Sequence, residues 1–217
     1  GVIFTLFYYN ADEDTRLGDA LDVDGAYRYR MYASDLTEVE INAPSIGADA
    51  FAYVDKLETV TLGNGVEQIG SRAFADTDSL ENINLDKVVT IGNEAFAGSK
   101  IQNLTLTNAT DIGSFAFTEN ESLVSVTFGA NINSVGEGAF SYSKALATIN
   151  GEEKIASFGN YAFAYTALSD VDLSGAVSIG EGAFLKETLS PFTVTLGDKL
   201  VNIEDNPFGN CDVSGQF

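Results

Sequence analysis

Apolar and polar residues follow one short pattern that recurs along the chain from Leu36 onward. Each copy opens with apolar residues in a Leu-x-x-Val-x-Leu arrangement, as at Leu57, Val60 and Leu62. Alternate side chains of a strand point to opposite faces. The pattern therefore predicts strands that stack in parallel, with one internal column formed by Val60, Ile83, Leu104, Val126, Ile149, Val171 and Val194.

A second apolar pair, such as Val66 and Ile69, follows each strand and predicts a short extended segment. Glycine comes directly after this pair in seven of eight copies. It indicates a tight corner or a close backbone approach between coils. An Ala-Phe pair then predicts a single helical turn whose ring points inward, and we expect these rings to form a buried stack.

The spacing of the phenylalanines predicts the architecture. They are 23, 22, 21, 23, 23, 21 and 24 residues apart, and they are Phe51, Phe74, Phe96, Phe117, Phe140, Phe163, Phe184 and Phe208. A period of this length is typical of solenoids. We therefore predict one continuous domain, in which residues 36–217 form about eight coils.

Residues 1–35 are predicted to form an N-terminal β-rich cap on the open end of the stack. Residues 2–9 are rich in β-branched and aromatic side chains, and residues 27–31 alternate apolar with charged residues, so both predict strands. The segment 22–25, Asp-Val-Asp-Gly, begins like a calcium loop, but the later ligands are not at their required spacing. We interpret it as an acidic surface loop, and no metal site is predicted.

Charge and composition exclude several function classes. The chain has 32 acidic and 11 basic residues and a formal net charge of -21, which repels phosphate backbones and anionic bilayers. No apolar run reaches the roughly 20 residues of a membrane-spanning helix. We therefore expect neither a nucleic-acid partner nor direct membrane insertion in this stretch.

Catalytic chemistry has weak support in the sequence. Histidine is absent and Cys211 is the only cysteine, so no histidine can activate a thiol or bind a metal. Asp170 and Asp172 share one face of a predicted strand at about 6.5 to 7 Å, a spacing that overlaps that of inverting glycosidases. Glu38 and Glu40 repeat this geometry, and no neighbouring residue completes a site. We predict no catalytic residues and no cofactor, and interpret Cys211 as a buried repeat residue.

Two surfaces are candidates for binding. The first is a small, polar, nearly flat strip on the outer face of the main strands, made of Thr59, Thr61, Asn82, Asn84, Asn103, Thr105, Ser125, Thr127, Thr148, Thr193 and Thr195. The second consists of Phe115, Tyr142, Tyr161 and Tyr165, which occupy positions that are polar, charged or glycine in other copies. Exposed rings offer large apolar area at low entropic cost, so the aromatic residues are the favoured site. The alternative is that the rings pack on neighbouring coils.

The repeat resembles that of the BspA-type bacterial leucine-rich repeat family, whose unit reads Leu-x-x-Ile-x-Leu-Pro, then Val-x-x-Ile-Gly-x-x-Ala-Phe-x-x-Cys. The resemblance covers residues 36 to 211. The cysteine of that unit survives only as Cys211, and the proline after the strand is missing from every copy. The resemblance implies a right-handed superhelix with a parallel sheet, short second strands and single helical turns. It also implies secretion or display on a bacterial cell surface.

These observations favour a monomeric, non-enzymatic module, secreted or anchored at the cell surface, for adhesion or for recognition of a protein or glycan. This hypothesis rests on the regular solenoid and on the lack of a recognisable set of catalytic residues in the sequence. The alternative hypothesis is a structural spacer or display stalk without a ligand of its own.

Overall fold

A computed structural model describes residues 2–6 and 36–216, with side chains for 36–215. Its main strands are all parallel, and β1 pairs with β2 at the N-terminal edge. The strand predicted over 27–31 and the acidic segment 22–25 lie outside the described residues, and the cap remains a prediction. The main strands are β1 Val2–Leu6, β2 Leu36–Ile41, β4 Thr59–Leu62, β6 Asn82–Ile83, β8 Asn103–Leu106, β10 Ser125–Phe128, β12 Thr148–Asn150, β14 Asp170–Leu173, β16 Ser190–Leu196 and β18 Cys211–Gln216.

The second apolar pair of each copy ends in a two-residue strand, and these strands form one parallel sheet of eight. The chain thus winds as eight stacked coils, numbered here from coil 1, which contains Phe51, to coil 8, which contains Phe208. This arrangement confirms the predicted repeat solenoid. The second strands are β3 Ser45–Ile46, β5 Gln68–Ile69, β7 Thr90–Ile91, β9 Asp111–Ile112, β11 Ser134–Val135, β13 Ser157–Phe158, β15 Ser178–Ile179 and β17 Asn202–Ile203.

The repeat phenylalanines form one ladder through the core, as predicted. Consecutive ring centroids lie 5.0 to 5.6 Å apart, and the rings are within 14° of parallel. The rings from Phe51 to Phe184 are fully buried, while Phe208 in coil 8 is half-buried. Each internal ring therefore contacts a ring on both sides, and the core is continuous from coil 1 to coil 7.

The corner glycines allow the coils to approach closely. A Cβ at Gly113 would lie 2.6 Å from the carbonyl carbon of Gly92 in the preceding coil, which is closer than van der Waals contact permits. The close backbone approach predicted from the sequence is therefore present. Coil 8 carries Glu204 at this position, and its neighbour Ile203 is 46% exposed.

The Ala-Phe segments differ from the predicted single helical turn. They form consecutive turns, in which Ala73 N donates to Gly70 O at 3.3 Å and Ala75 N donates to Arg72 O at 3.1 Å. They are also bonded to the next coil, because Phe74 N donates to Ala95 O at 2.8 Å. In the described part of the chain the only helix is the 3-10 turn Glu152–Lys154. We call this third side of the solenoid the turn face.

Each turn-face segment has two residues in left-handed backbone conformations, with φ between 51° and 72°, except that of coil 7, which has only the first. The first left-handed position directly precedes the alanine, or Pro207 in coil 8, and the second lies two residues after the phenylalanine. These conformations favour glycine, asparagine and aspartate and are uncommon for other residues. The first position holds Asp49, Arg72, Glu94, Phe115, Gly138, Tyr161, Gly182 and Asn206, and the second holds Tyr53, Asp76, Gly98, Glu119, Tyr142, Tyr165 and Asn210.

In coils 2 to 6 a column of buried polar side chains replaces the cysteine of the family pattern, three residues after the phenylalanine. Thr77, Ser143 and Thr166 donate to phenylalanine carbonyl oxygens at 2.8 to 3.0 Å. Asn120 Nδ2 donates to the Phe96 oxygen at 2.8 Å. Each side chain satisfies a buried carbonyl, so the loss of cysteine leaves the fold intact.

The main sheet is interrupted twice, between β6 and β8 and between β12 and β14. At the second interruption β12 ends at Asn150, Gly151 has φ 86°, and the 3-10 turn Glu152–Lys154 follows. Gly151 stands where other copies carry the last apolar residue of the main strand, and the sheet breaks there. Glu152 fills the space, 9% exposed, and its Oε1 accepts a long hydrogen bond of 3.5 Å from Asp172 N.

Because the carboxyl group of Glu152 is buried, we expect the free energy of unfolding to depend on pH. Burial raises the pKa of Glu152 above its ordinary value of 4.5, since loss of water disfavours the charged form. The folded state then binds more protons than the unfolded state above pH 4.5, so stability falls as pH rises through the raised pKa. We expect Glu152→Gln to unfold at a higher urea concentration than the wild type at pH 7, and the difference to vanish toward pH 4.

Glu121→Gln is the matched control, because Glu121 is exposed and its substitution removes the same charge. We expect its urea midpoint to remain close to that of the wild type at both pH values. An equal shift for both variants at pH 7 would assign the effect to the net charge of the protein instead of the burial of Glu152.

Candidate functional site

All four predicted aromatic site residues lie on the turn face, at its left-handed positions. Phe115 and Tyr161 occupy the first position, while Tyr142 and Tyr165 occupy the second. Phe115 is 38% and Tyr142 45% exposed, whereas Tyr161 and Tyr165 are half-buried. We call these four residues the aromatic surface. It spans coils 4 to 6.

Tyr142 and Tyr165 contact each other directly. Their ring centroids are 4.6 Å apart and their planes differ by 22°, so each ring turns one face to the other. The contact forms because both residues hold the same position in consecutive coils, and the backbones of these coils are joined by the bond from Tyr142 N to Ala164 O, of 3.0 Å. The contact therefore covers one face of each ring.

Phe115 and Tyr161 each lean over a glycine of the next coil. A Cβ at Gly138 would lie 2.3 Å from the Phe115 ring, and a Cβ at Gly182 would lie 2.5 Å from the Tyr161 ring. The Tyr161 hydroxyl donates to the Glu181 carboxylate, and this bond raises the pKa of the tyrosine. The alternative of rings packed on neighbouring coils thus holds in part, because these rings are supported by the next coil and still reach solvent.

Small residues separate the two aromatic columns. Between Tyr161 and Tyr165 the chain carries Ala162 and Ala164, both buried, with the Phe163 ring pointing into the core. The structure therefore brings Tyr142 and Tyr165 into contact, and places Phe115 and Tyr161 in the adjacent column of the same face.

The aromatic surface ends where an ion-pair cluster begins. In coils 1 to 3 the turn face carries Arg72, which bonds to Asp49 at 2.8 Å, Glu94 at 3.1 Å and the Tyr53 hydroxyl at 2.7 Å. The hydrogen bond to Asp49 is the main reason why the pKa of Arg72 is raised. These charged groups of the turn face are therefore paired with one another.

Lys186 is a site residue that the sequence did not reveal. It lies in coil 7 beside an insertion, is 6% exposed, and its Nζ donates to the carbonyl oxygens of Thr166 and Leu168. Burial lowers its pKa, and the ammonium lies 5.1 Å from the centre of the Phe192 ring. With Lys144 and Tyr165 it lines a cavity of about 160 Å³ at the edge of the aromatic surface.

Asp172 and Cys211, two of the residues considered for catalysis, make contacts that stabilise the fold. Asp172 accepts a hydrogen bond of 2.9 Å from Ser174 N at the end of β14, so its carboxylate stabilises a turn, while Asp170 is exposed. Cys211 is half-buried, its Sγ lies 3.3 Å from Phe184 O, and burial raises its pKa, which keeps the thiol protonated. Residues 2–6 and 36–216 contain no cluster of three metal-ligating side chains and no helix long and apolar enough to cross a membrane.

The predicted strip of threonine and asparagine is not flat. The break between β6 and β8 opens a groove of about 530 Å³ across it. The groove crosses coils 2 to 4 on the outer side of the main sheet, and is therefore separate from the turn face.

Similar chains occur among solved structures, at low sequence identity. A leucine rich cell surface protein from Faecalibacterium prausnitzii is 21% identical, with a TM-score of 0.56, over 84% of this chain and 61% of that chain. The leucine rich repeat protein of T. pallidum is 22% identical over 60% of this chain and 76% of that one, with a TM-score of 0.42. This chain thus spans about three fifths of the first of these proteins.

No curated protein is significantly similar to this chain. The family described as BspA type leucine rich repeat region matches it in six copies, over residues 26–110 and 89–214. These ranges contain every repeat phenylalanine. The chain therefore belongs to the BspA-type leucine-rich repeat family.

Proposed function

We propose that this chain is a non-enzymatic recognition module, secreted or anchored at a bacterial cell surface, which binds a protein through the aromatic surface. The observation that carries the proposal is the stacked pair of Tyr142, which is exposed, and Tyr165, which is half-buried, on a rigid solenoid face. Tyrosine is enriched among the residues that dominate binding energy at protein interfaces. Rigid neighbouring coils hold the rings in place, so little conformational entropy is lost on binding.

The geometry favours a protein over a sugar at this surface. Tyr142 and Tyr165 each cover one face of the other's ring, which leaves at most one face of each ring for stacking on a sugar. Ring edges and hydroxyl groups suit a protein partner, which can surround them with apolar and hydrogen-bonding groups. Lys144, Glu181 and Glu187 lie around the rings and provide the mixed-charge rim found at such interfaces.

The cell-surface location follows from family membership by analogy. The F. prausnitzii relative is described as a cell surface protein, and the same location is proposed for this chain. The net charge of -21 supports a partner with a neutral or basic surface. Association with a basic partner should slow as ionic strength rises.

The test compares the wild-type chain with Tyr142→Asn/Tyr165→Asn on an array of extracellular-matrix proteins and glycans. Asparagine is well tolerated in left-handed conformations, so the double variant should melt close to the wild type. We expect the wild type to bind at least one protein, and the double variant to bind it at least about tenfold more weakly. Tyr53→Asn, which changes the same second left-handed position in coil 1, is the matched control and should retain binding.

Equal binding by the wild type and the double variant would remove the aromatic surface as the site. A complete absence of bound proteins would favour a spacer or display stalk, which the uninterrupted stack of phenylalanines could also serve. A large loss of thermal stability in the double variant would show that the two rings are mainly structural.

A further inference from the structure

The main sheet opens between coils 3 and 4, although the same coils remain joined elsewhere. β6 is the last strand of one sheet and β8 is the first strand of the next. On the second side, β7 pairs with both β5 and β9 without interruption. The Phe96 and Phe117 rings also keep their 5.2 Å spacing. The opening is therefore confined to the outer face of the main sheet.

Asn84 accounts for the early end of the β6 ladder. Its Oδ1 accepts a hydrogen bond of 2.7 Å from Leu62 N, and its Nδ2 donates to Leu62 O at 2.9 Å. The side-chain amide thus takes both bonds that a backbone peptide of coil 3 would make with coil 2. The backbone of coil 3 leaves the ladder after Ile83, and a gap opens on its side facing coil 4.

This gap forms a groove of about 530 Å³, within the size range of small-molecule sites. Its apolar part is Val60 and Ile83. Ile83 is half-buried, whereas Val60 and the equivalent residues Leu104 and Val126 are at most 2% exposed. Its polar part consists of Thr59, Thr61, Glu81, Asn82, Asn84, Gln102 and Asn103.

Neutral side-chain amides are among the polar groups of the groove that have no hydrogen-bond partner. Among the described residues, the side chains of Asn82 and Gln102 have no hydrogen-bond partner, and Asn103 uses its Oδ1 to accept a bond of 2.7 Å from Ser125 Oγ. Each free amide can both donate and accept, as can a sugar hydroxyl. Glu81 is the one charged residue of the lining, and it repels anionic ligands.

We propose that this groove binds a short neutral oligosaccharide. Asn82, Gln102 and Asn103 hydrogen-bond to its hydroxyl groups, and Ile83 contacts the C–H face of a sugar ring. An added peptide strand fits less well, because β6 offers only two residues for backbone pairing and Asn84 already occupies the adjacent backbone of coil 2. The proposal does not depend on the aromatic surface, which lies on another face and in coils 4 to 6.

The test uses the intact chain on an array of neutral oligosaccharides, acidic oligosaccharides and peptides, followed by titration calorimetry with each neutral sugar that is bound. We expect neutral sugars to bind, and Asn82→Ala and Gln102→Glu each to weaken the binding about five- to tenfold. Both residues are exposed, so neither change should alter the melting temperature. Thr148→Ala, at the position equivalent to Asn82 but outside the groove, should leave affinity unchanged.

Binding of no neutral sugar, or binding that Asn82→Ala and Gln102→Glu leave unchanged, would overturn the proposal. Preference for acidic sugars, or for peptides whose binding falls in these variants, would also overturn it by assigning the groove another ligand class. The Tyr142→Asn/Tyr165→Asn variant should bind the neutral sugar as the wild type does, so failure of the protein-binding proposal and failure of this one give different results.

Discussion

Phe117→Ala is expected to lower the free energy of unfolding by about 3 to 5 kcal/mol, as for other buried phenylalanines. The Phe117 ring is fully buried and stacks between Phe96 and Phe140, with both centroid distances at 5.2 Å. Alanine would leave a cavity between two rings that are fixed by their own coils and cannot close over it. Urea denaturation followed by far-UV circular dichroism measures the loss.

Phe208→Ala provides the comparison, because it makes the same chemical change at the last coil. Phe208 is half-buried and has Phe184 as its repeat-ladder neighbour at 5.6 Å. Water can fill the vacated space there, so we expect a distinctly smaller loss than for Phe117→Ala. A larger loss for Phe208→Ala would contradict the view that the core is continuous in the middle of the stack and weakens toward its C-terminal end.

The solenoid itself was predictable, because each coil repeats the same physical requirement. Phenylalanines at a regular period, apolar strand residues and a corner glycine can all be satisfied only when successive coils stack. The stack of phenylalanine rings is present as predicted, and so is the internal column from Val60 to Val194, except that Ile83 is half-buried and the main sheet breaks at two points along it. Each of these sequence features occurs in several coils, so the fold could be predicted from many copies of the same pattern.

The left-handed backbone of the turn face was not predictable to the same degree. Glycine or asparagine at a fixed position usually indicates this conformation, but here tyrosine, phenylalanine, arginine and glutamate occupy the same positions. Bonds to the next coil, such as Phe115 N to Glu137 O at 2.7 Å, hold the conformation in place of the local preference. A signal did exist in the pairs Phe115 with Gly138 and Tyr161 with Gly182, where a ring in one coil is followed by glycine in the next.

The groove was hidden from the sequence for a different reason. Asn84 looks like any other polar residue of the outer strip, and nothing in its spacing distinguishes it from Asn82 or Asn103. Its effect depends on a side-chain amide that bonds to the backbone of Leu62, 22 residues away. Because the Asn84 side chain makes these bonds in place of a backbone peptide, a groove interrupts the otherwise flat strip.

Family membership and site chemistry answer different questions here. The repeat explains why coils stack, and it leaves the exposed positions free to vary, since they do not contribute to the core. The aromatic surface and the groove both lie at such exposed positions, on two sides of one rigid scaffold. A recognition role is therefore compatible with a fold whose core is determined almost entirely by its repeat.

Gly113→Ala is expected to destabilise the protein by about 2 to 3 kcal/mol, although it adds a single methyl group. The new Cβ would lie 2.6 Å from Gly92 C and 2.7 Å from Asn93 N, which are backbone atoms of the preceding coil that no rotamer change can move. Coils 3 and 4 must separate, which stretches the hydrogen bond of 3.0 Å from Gly113 N to Ile91 O.

Gly65→Ala is the control, since a Cβ there meets no atom within 4 Å. We expect it to be neutral, or to stabilise the protein by up to about 1 kcal/mol, because alanine lowers the conformational entropy of the unfolded chain. Urea midpoints of the two variants, together with amide exchange at residue 113, test the close contact between coils. Equal stability of the two variants would show that the stack can expand at its corners without cost.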